Sequence, residues 1–196
     1  MQSPPLSLYI HIPWCERKCP YCDFNSHEAN VFPEQQYIAA LLRDLRQDLP
    51  LGQGRTIESL FIGGGTPSLF SVESISQLLR GIADLVPLAP DLEATMEANP
   101  GSAEADKFLG FRSTGINRLS LGIQSFNDDH LQALGRIHCS EQAHAAIEHT
   151  RSAGFDNFNI DLMHGLPGQT PAIAASDLRA ALEHQPPHLS WYQLTI

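Results

Sequence analysis

Apolar runs of strand length alternate along this chain with longer segments in which apolar residues recur at helical spacing. The short runs predict buried strands at residues 7–12, 58–62, 92–97, 118–123, 158–163 and 189–196. Strands that alternate with helices are typical of β-α units, which place their strands side by side in a parallel sheet. The pattern therefore predicts an α/β fold built on one parallel sheet.

Residues with strong capping preferences mark the ends of the helices. Pro33 is predicted at the first helical position of the first helix, which Pro50-Leu51-Gly52 ends. Ser71 is a predicted cap of the second helix. The remaining helices are predicted near residues 103–111 with Ser102 as cap, at 128–134, at 140–153 before Gly154, and at 171–184 with Thr170 as cap and Pro171 as first residue.

Size and charge narrow the class of protein. A chain of 196 residues with 42% hydrophobic content fits one domain with a substantial core, so residues 1–196 are predicted to form a single unit. The net charge of -10 disfavours a broad surface for nucleic acid or for an anionic membrane. No apolar run approaches the roughly 20 residues that span a bilayer, and no signal peptide precedes the first strand, so we expect a cytoplasmic protein without a transmembrane segment.

Three of the four cysteines lie within eight residues, directly after the first predicted strand. Cys15, Cys19 and Cys22 offer three thiolates, whereas a structural zinc ion takes four ligands. A [4Fe-4S] cluster is normally held by four cysteines, so three leave one iron open to another ligand. The alternative is a zinc site completed by His27 or by Cys139, although Cys139 fits a helix start better than a ligand.

Other candidate residues fall at the carboxyl ends of the predicted strands, where β/α barrels gather their functional groups. The run Gly63-Gly64-Gly65-Thr66-Pro67 follows the second strand and leaves its peptide groups open to a ligand. Glu97 ends the third strand, Gln124 follows the fourth and Asp161 lies on the fifth. Alone, the glycine run is a tight turn as often as a ligand site, and Glu97 alone could be a solvated turn residue.

The spacing Cys15-x3-Cys19-x2-Cys22, with Tyr21 before the last cysteine, resembles the signature of the radical S-adenosylmethionine (SAM) superfamily. The flanking residues 6–15 and 22–27 resemble one branch, the HemW-type heme chaperones, which are related to oxygen-independent coproporphyrinogen III oxidases. The resemblance implies a partial TIM-like (β/α)6 radical SAM barrel, truncated at the C-terminus, because it covers about the first half of a HemW-type protein. It also implies a [4Fe-4S] cluster whose open iron binds SAM, and an electron that cleaves SAM to a 5'-deoxyadenosyl radical.

The resemblance also implies which residues contact SAM. In the superfamily the glycine-rich segment, here Gly63 and its neighbours, holds the methionine end of SAM. The other implied contacts match positions in the related oxidases, and no catalytic residue is assigned. They are Tyr9, Tyr21, Gly64, Gly65, Thr66, Pro67, Glu97, Gln124, Arg136, Asp161 and Thr195.

Two functions follow from the resemblance. The first is a heme chaperone that binds heme, transfers it to heme-accepting proteins and uses an electron donor. The second is a radical SAM oxidase that decarboxylates coproporphyrinogen III. Those oxidases carry a further cysteine shortly after the third ligand, whereas this chain continues Asp23-Phe24-Asn25, which favours the chaperone. A third reading, from the residues alone, is a non-catalytic zinc-binding module.

Overall fold

The computed structural model describes residues 4–101 and 105–195. The strands are β1 (Leu6–Ile12), β2 (Trp14–Cys15), β3 (His27–Glu28), β4 (Ile57–Gly64), β5 (Leu88–Ala98), β6 (Arg118–Gln124), β7 (Phe158–His164) and β8 (His188–Gln193). The helices are α1 (Glu34–Gly52), α2 (Val72–Ala83), α3 (Phe108–Thr114), α4 (Asp128–Ala133), α5 (Ser140–Ser152) and α6 (Pro171–Glu183), with a 3-10 turn at Pro67–Leu69.

Six strands form one sheet in the order β1-β4-β5-β6-β7-β8, and every neighbouring pair is parallel. The order in space follows the order in sequence, as expected when helices connect successive parallel strands. The predicted α/β fold with one parallel sheet is confirmed. Among the described residues, no helix combines the length and apolar character needed to cross a bilayer.

The two faces of the sheet differ because successive strand side chains point to opposite sides. On β6, Leu119, Leu121 and Ile123 belong to the main hydrophobic core, and β7 contributes Phe158, Ile160 and Leu162. The alternate residues of these strands, Ser120, Gly122, Gln124, Asn159, Asp161 and Met163, line a cavity on the opposite face. The sheet therefore separates an apolar core from a polar chamber.

The predicted helix caps are largely confirmed. Ser71 accepts a hydrogen bond from the Ser74 backbone N–H at 3.2 Å, and Thr170 accepts one from Ile173 at 3.3 Å, with Pro171 opening α6. Cys139 is the N-cap of α5, in agreement with its predicted place at a helix start.

The predicted start of α1 differs slightly from the structure, because Pro33 is the N-cap of α1 rather than its first residue. The helix ends at Gly52, as predicted from the segment Pro50-Leu51-Gly52, and Pro50 lies within the helix near this end. A proline removes only its own N–H bond, and the Arg46 carbonyl that loses this donor belongs to an exposed residue that water can reach. Of the short helix predicted near residues 103–111, the structure describes α3. Its predicted cap, Ser102, and the last residue of the predicted final strand, Ile196, lie outside the described residues.

An aromatic cluster fixes the chain where it leaves β1. The Trp14 ring packs edge-on against Tyr37, with centroids 4.6 Å apart, and stacks on Phe70 at 5.8 Å. The Tyr37 hydroxyl donates to the His11 carbonyl at 2.8 Å. Because burying aromatic surface is strongly favourable, the cluster anchors β2, the strand that carries Cys15.

Candidate functional site

A cavity of about 1000 Å³ opens at the carboxyl ends of the parallel strands. Segments that end or follow all six strands of the sheet contribute to its wall. The volume lies at the upper end of the usual range for small-molecule sites, roughly 300–1,000 Å³. The cavity can hold a ligand of nucleoside size together with an inorganic group.

Most of the residues singled out from the sequence line this one cavity. They are Cys15, Cys19, Tyr21, Cys22, Gly64, Gly65, Thr66, Glu97, Gln124, Arg136, Asp161 and Thr195. Tyr9, Gly63 and Pro67 are not part of the wall. Tyr9 stacks on the lining residue Phe61 with centroids 6.2 Å apart, and Pro67 is buried in the 3-10 turn.

The cysteine loop is folded back on itself by backbone hydrogen bonds. The Cys22 N–H donates to the Cys19 carbonyl at 3.1 Å, and the Ala29 N–H donates to the Cys15 carbonyl at 3.0 Å. The Lys18 ammonium donates to the carbonyls of Phe24 at 3.1 Å and Ser26 at 2.9 Å. These bonds hold all three thiols on the cavity wall.

The thiols lie in different electrostatic surroundings. Burial raises the pKa of the Cys15 thiol, and side-chain hydrogen bonds with Thr66 and Ser26 oppose that rise. The Arg136 guanidinium places a positive charge 3.8 Å from the Cys19 sulfur.

The arrangement of potential ligands bears on the choice between zinc and a cluster. In the parts of the chain that the structure describes, no three His, Cys, Asp or Glu side chains converge as ligands of one metal ion. A cubane binds each thiolate at a different iron, so its cysteines need not converge on one point. His27, which would have completed a zinc site, is exposed, and Cys139 caps α5. The cavity wall therefore carries the three thiols of the loop without His27 or Cys139.

The glycine run seats the cysteine loop against the sheet. The N–H groups of Gly65 and Thr66 donate to the carbonyls of Ile12 and Trp14, both at 2.7 Å. A Cβ atom on Gly65 would lie 2.5 Å from the Trp14 carbonyl oxygen. The sequence suggested that the peptide groups of this run are open to a ligand. For the N–H groups of Gly65 and Thr66 this is not so, because both are bonded within the protein.

Two carboxylates face the cavity. Burial raises the pKa of Glu97 to about 7, against the effect of a 3.1 Å hydrogen bond from Gly64 N–H, and the nearby Asp161 adds to the rise. Burial also raises the pKa of Asp161, which accepts hydrogen bonds from Ser120 at 2.8 Å and Asn159 at 2.9 Å. Both carboxylates can accept hydrogen bonds from ligand hydroxyl or ammonium groups.

Arg136 carries an unsatisfied donor. Its Nη2 donates to the Asn99 side-chain oxygen at 2.6 Å and to the Gly122 carbonyl at 2.7 Å, whereas its Nε is buried with no partner among the described residues. Leaving a buried donor unpaired costs about 1–3 kcal/mol, so an acceptor on a bound ligand would relieve this cost. The donor set thus fits an anionic or carbonyl group of a cofactor.

Gln124 stands at a strained point of the backbone. Its φ of 69° lies in the left-handed region, and its side-chain oxygen accepts a 2.6 Å hydrogen bond from the Tyr192 hydroxyl. The bond joins the end of β6 to β8 and fixes the amide at the cavity wall.

Sequence reasoning missed several residues that shape the cavity. Ser120 and Asn159 lie within largely apolar strands and were therefore overlooked. Polar residues at alternate positions of such a strand do, however, indicate that one face of the sheet lines a polar cavity. Asn99 and Tyr192 also line the cavity. Their roles come from contacts between distant segments, which no local pattern encodes.

Comparison with known proteins agrees with this geometry. The family model of the radical SAM superfamily matches residues 9–179. The heme chaperone HemW of Haemophilus influenzae is 58% identical over 98% of this chain and 52% of its own length. The heme chaperone HemW of Escherichia coli is 54% identical over 100% of this chain and 52% of its own length. The chain thus spans about half the length of the curated relatives it matches.

A solved structure extends the comparison to the fold. Coproporphyrinogen III oxidase (HemN) from Escherichia coli, described as a radical SAM enzyme, superposes with a TM-score of 0.88 at 35% identity, over 97% of this chain and 44% of that one. The predicted radical SAM fold, an open TIM-like set of six strands, is confirmed. The chain belongs to the radical SAM superfamily and is similar, over its whole length, to heme chaperones of the HemW type.

Proposed function

We propose that residues 1–196 form a radical SAM core domain that binds a [4Fe-4S] cluster through Cys15, Cys19 and Cys22 and SAM in the adjoining cavity. The observation that carries this proposal is the single cavity that joins the three thiols to Glu97 and Arg136. A cluster held by these three thiolates would supply one electron to SAM when both are bound.

The protein's own groups have separate roles in this site. Arg136 places positive charge beside Cys19, and its unpaired Nε donates to a carboxylate of the ligand. Glu97 and Asp161 accept hydrogen bonds from ribose hydroxyls or from the ammonium group. Gln124, Tyr21, Thr66 and Thr195 line the remaining wall. Tyr9, Gly63 and Pro67 support this wall from behind.

Anaerobic reconstitution with iron and sulfide tests the site. We expect visible absorption of a [4Fe-4S] cluster and, after reduction, an electron paramagnetic resonance (EPR) signal that added SAM changes. Replacing Cys15, Cys19 and Cys22 by Ala should abolish both, whereas Cys139→Ala should leave them unchanged because Cys139 caps a helix. Stoichiometric zinc without a cluster would refute the proposal.

Beyond the cluster and SAM site, we propose that the protein acts as a cytoplasmic heme chaperone. In this role it binds heme, passes it to heme-accepting proteins and receives electrons from a donor. The relatives named heme chaperone HemW support this assignment through 58% and 54% identity. The four free cysteines suit a reducing compartment. Titration of the reconstituted chain with hemin, followed by transfer to an apo heme protein, tests the activity through the Soret absorption of each partner.

The oxidase is the second candidate, because the HemN structure superposes with a TM-score of 0.88. Against it, this chain continues Asp23-Phe24-Asn25 after the third cysteine, without the further cysteine expected of those enzymes. Incubating the reduced, reconstituted chain with SAM and coproporphyrinogen III separates the two. Loss of the propionate carboxyl groups would favour the oxidase, and an unchanged porphyrinogen together with hemin binding favours the chaperone.

A further inference from the structure

A line of hydrogen bonds connects Thr66, in the glycine run, to Cys19 through residues outside the cysteine loop. Asn99, just beyond β5, donates from its side-chain nitrogen to the Thr66 hydroxyl at 3.1 Å. Its side-chain oxygen accepts from Arg136 Nη2 at 2.6 Å. Arg136 in turn reaches the Cys19 sulfur at 3.8 Å.

The chemistry of the partners fixes the orientation of the Asn99 amide. An arginine has only donors, so the amide atom that faces Arg136 must be the oxygen, and the nitrogen then faces Thr66. The Asn99 amide is thus held between Thr66 and Arg136, with its oxygen aimed at the guanidinium that reaches Cys19.

The guanidinium depends on this arrangement for its position. Arg136 lies in the connection between α4 and α5 and has a long, flexible side chain, which loses rotamer freedom when it is held in one position. Its Nη2 donates to Asn99 Oδ1 and to the Gly122 carbonyl, the latter at 2.7 Å. Without the shorter of these two bonds, Nη2 keeps the bond to the Gly122 carbonyl alone, and the guanidinium is less firmly aimed at Cys19.

We propose that Asn99 is a positioning residue, which aims Arg136 at Cys19 and thereby raises the reduction potential of the bound cluster. The inference rests on the proposed cluster site. Reduction adds negative charge to a cluster, and N–H groups and positive charge near its sulfurs stabilise that charge. If the Arg136 guanidinium no longer points at Cys19, the cluster therefore becomes harder to reduce.

The test compares Asn99→Leu with the wild-type chain after anaerobic reconstitution. We expect the same iron content but a more negative midpoint potential, measured by EPR-monitored redox titration without SAM. Losing such outer-shell partners typically costs about 10- to 100-fold in metal affinity, so iron release to a chelator should be about tenfold faster. Asn99→Ala provides a second, smaller replacement should the leucine variant not fold.

A double-mutant cycle with Arg136→Met shows whether Asn99 acts through Arg136. If it does, the double variant shifts the potential little more than Arg136→Met alone, because residues that act through one another are not additive. The matched control is Asn117→Leu. Asn117 also bridges two groups, the Ala94 N–H at 2.8 Å and the Leu92 carbonyl at 2.7 Å, but it lies away from the cavity wall. Asn117→Leu should lower the midpoint of unfolding and leave the midpoint potential of the cluster unchanged.

Each outcome decides one claim. A wild-type chain that takes up no cluster refutes the proposed function itself. A wild-type cluster whose potential is the same in Asn99→Leu and Asn99→Ala overturns this inference and leaves the cluster site standing. A shift that adds fully to that of Arg136→Met also overturns it, since Asn99 would then act independently of Arg136.

Discussion

At the scale of single residues, Lys18 organises the segment that carries two of the cysteines. Its ammonium bridges the carbonyls of Phe24 and Ser26, and its N–H donates to a Glu28 carboxylate oxygen at 3.2 Å. Lys18 is exposed, yet its ammonium binds the backbone of the cysteine loop, which composition alone does not reveal.

Lys18→Met should therefore weaken the loop. The variant loses two hydrogen bonds from a charged donor, and at an exposed site the free energy of unfolding should fall by about 1 kcal/mol. We expect less iron per chain after reconstitution, measured by metal analysis. Arg46→Met, which removes the same charge from the exposed side of α1, is the control and should change neither quantity. Equal iron uptake in Lys18→Met and the wild type would contradict the role of Lys18.

Glu97 gives the folded chain a pH dependence. Its pKa in the folded state is raised from 4.5 to about 7, so the folded state holds this proton more tightly than the unfolded state does. The free energy of unfolding should therefore fall as the pH rises from about 4.5 to about 7, by at most about 3.5 kcal/mol at about 1.4 kcal/mol per pKa unit. Urea denaturation of the cluster-free chain across this range measures the fall.

Glu97→Gln should remove that part of the pH dependence, because the amide does not titrate and its oxygen still accepts from Gly64 N–H. Glu93→Gln, in the middle of the same strand and exposed, is the matched control and should keep the wild-type profile. A wild-type free energy of unfolding that stays level between these pH values would show that Glu97 is not perturbed.

At the scale of elements, the junction between β4 and the cysteine loop depends on the absence of a side chain. A Cβ atom on Gly65 would meet the Trp14 carbonyl oxygen at 2.5 Å, and Trp14 is held by Tyr37 and Phe70. The backbones at Gly65 and Trp14 would have to move apart, because the contact is with a backbone atom and not with a flexible side chain.

Gly65→Ala should accordingly destabilise the fold by about 1–3 kcal/mol, the usual cost of overpacking, and reduce cluster uptake. Gly52→Ala is the matched control, because its Cβ would lie 3.9 Å from the nearest atom, Leu6 Cδ2. Urea denaturation and iron content measure both variants. Equal stability of Gly65→Ala and the wild type would show that the loop can move away from β4.

The elements themselves were largely predictable because their signals are local. Apolar runs gave each strand of the main sheet to within a few residues, and Ser71 and Thr170 marked two helix starts. The segment Pro50-Leu51-Gly52 marked the end of α1, which stops at Gly52. The parallel pairing of β2 with β3, which closes the cysteine loop, escaped because two-residue strands carry no periodicity.

At the scale of the whole molecule, the candidate site was predictable only in part. Parallel strands bring their carboxyl ends to one edge, so Glu97, Gln124 and Asp161 were expected together. The Arg136 contacts with Asn99 and Cys19 join segments far apart in sequence, and only the folded chain reveals them.

The sheet ends at β8 with exposed aromatic residues. Trp191 and Tyr192 are 45% and 41% exposed, and within the described ranges β8 pairs only with β7. Exposed strand edges with apolar side chains promote association, so the isolated chain should associate as its concentration rises. Trp191→Lys should weaken this association, measured by light scattering after gel filtration. Leu51→Lys, at a residue 78% exposed on α1, is the control, and a monomer at all concentrations would refute the expectation.

The position of Trp14 beside Cys15 has a practical consequence for spectroscopy. The chain has two tryptophans, and Trp14 directly precedes a cysteine of the loop whereas Trp191 lies on β8. An iron–sulfur cluster absorbs where tryptophan emits, so energy transfer should quench Trp14 fluorescence as the loop fills. In a Trp191→Phe variant Trp14 would be the single tryptophan. The decrease in its fluorescence would then report cluster assembly in real time.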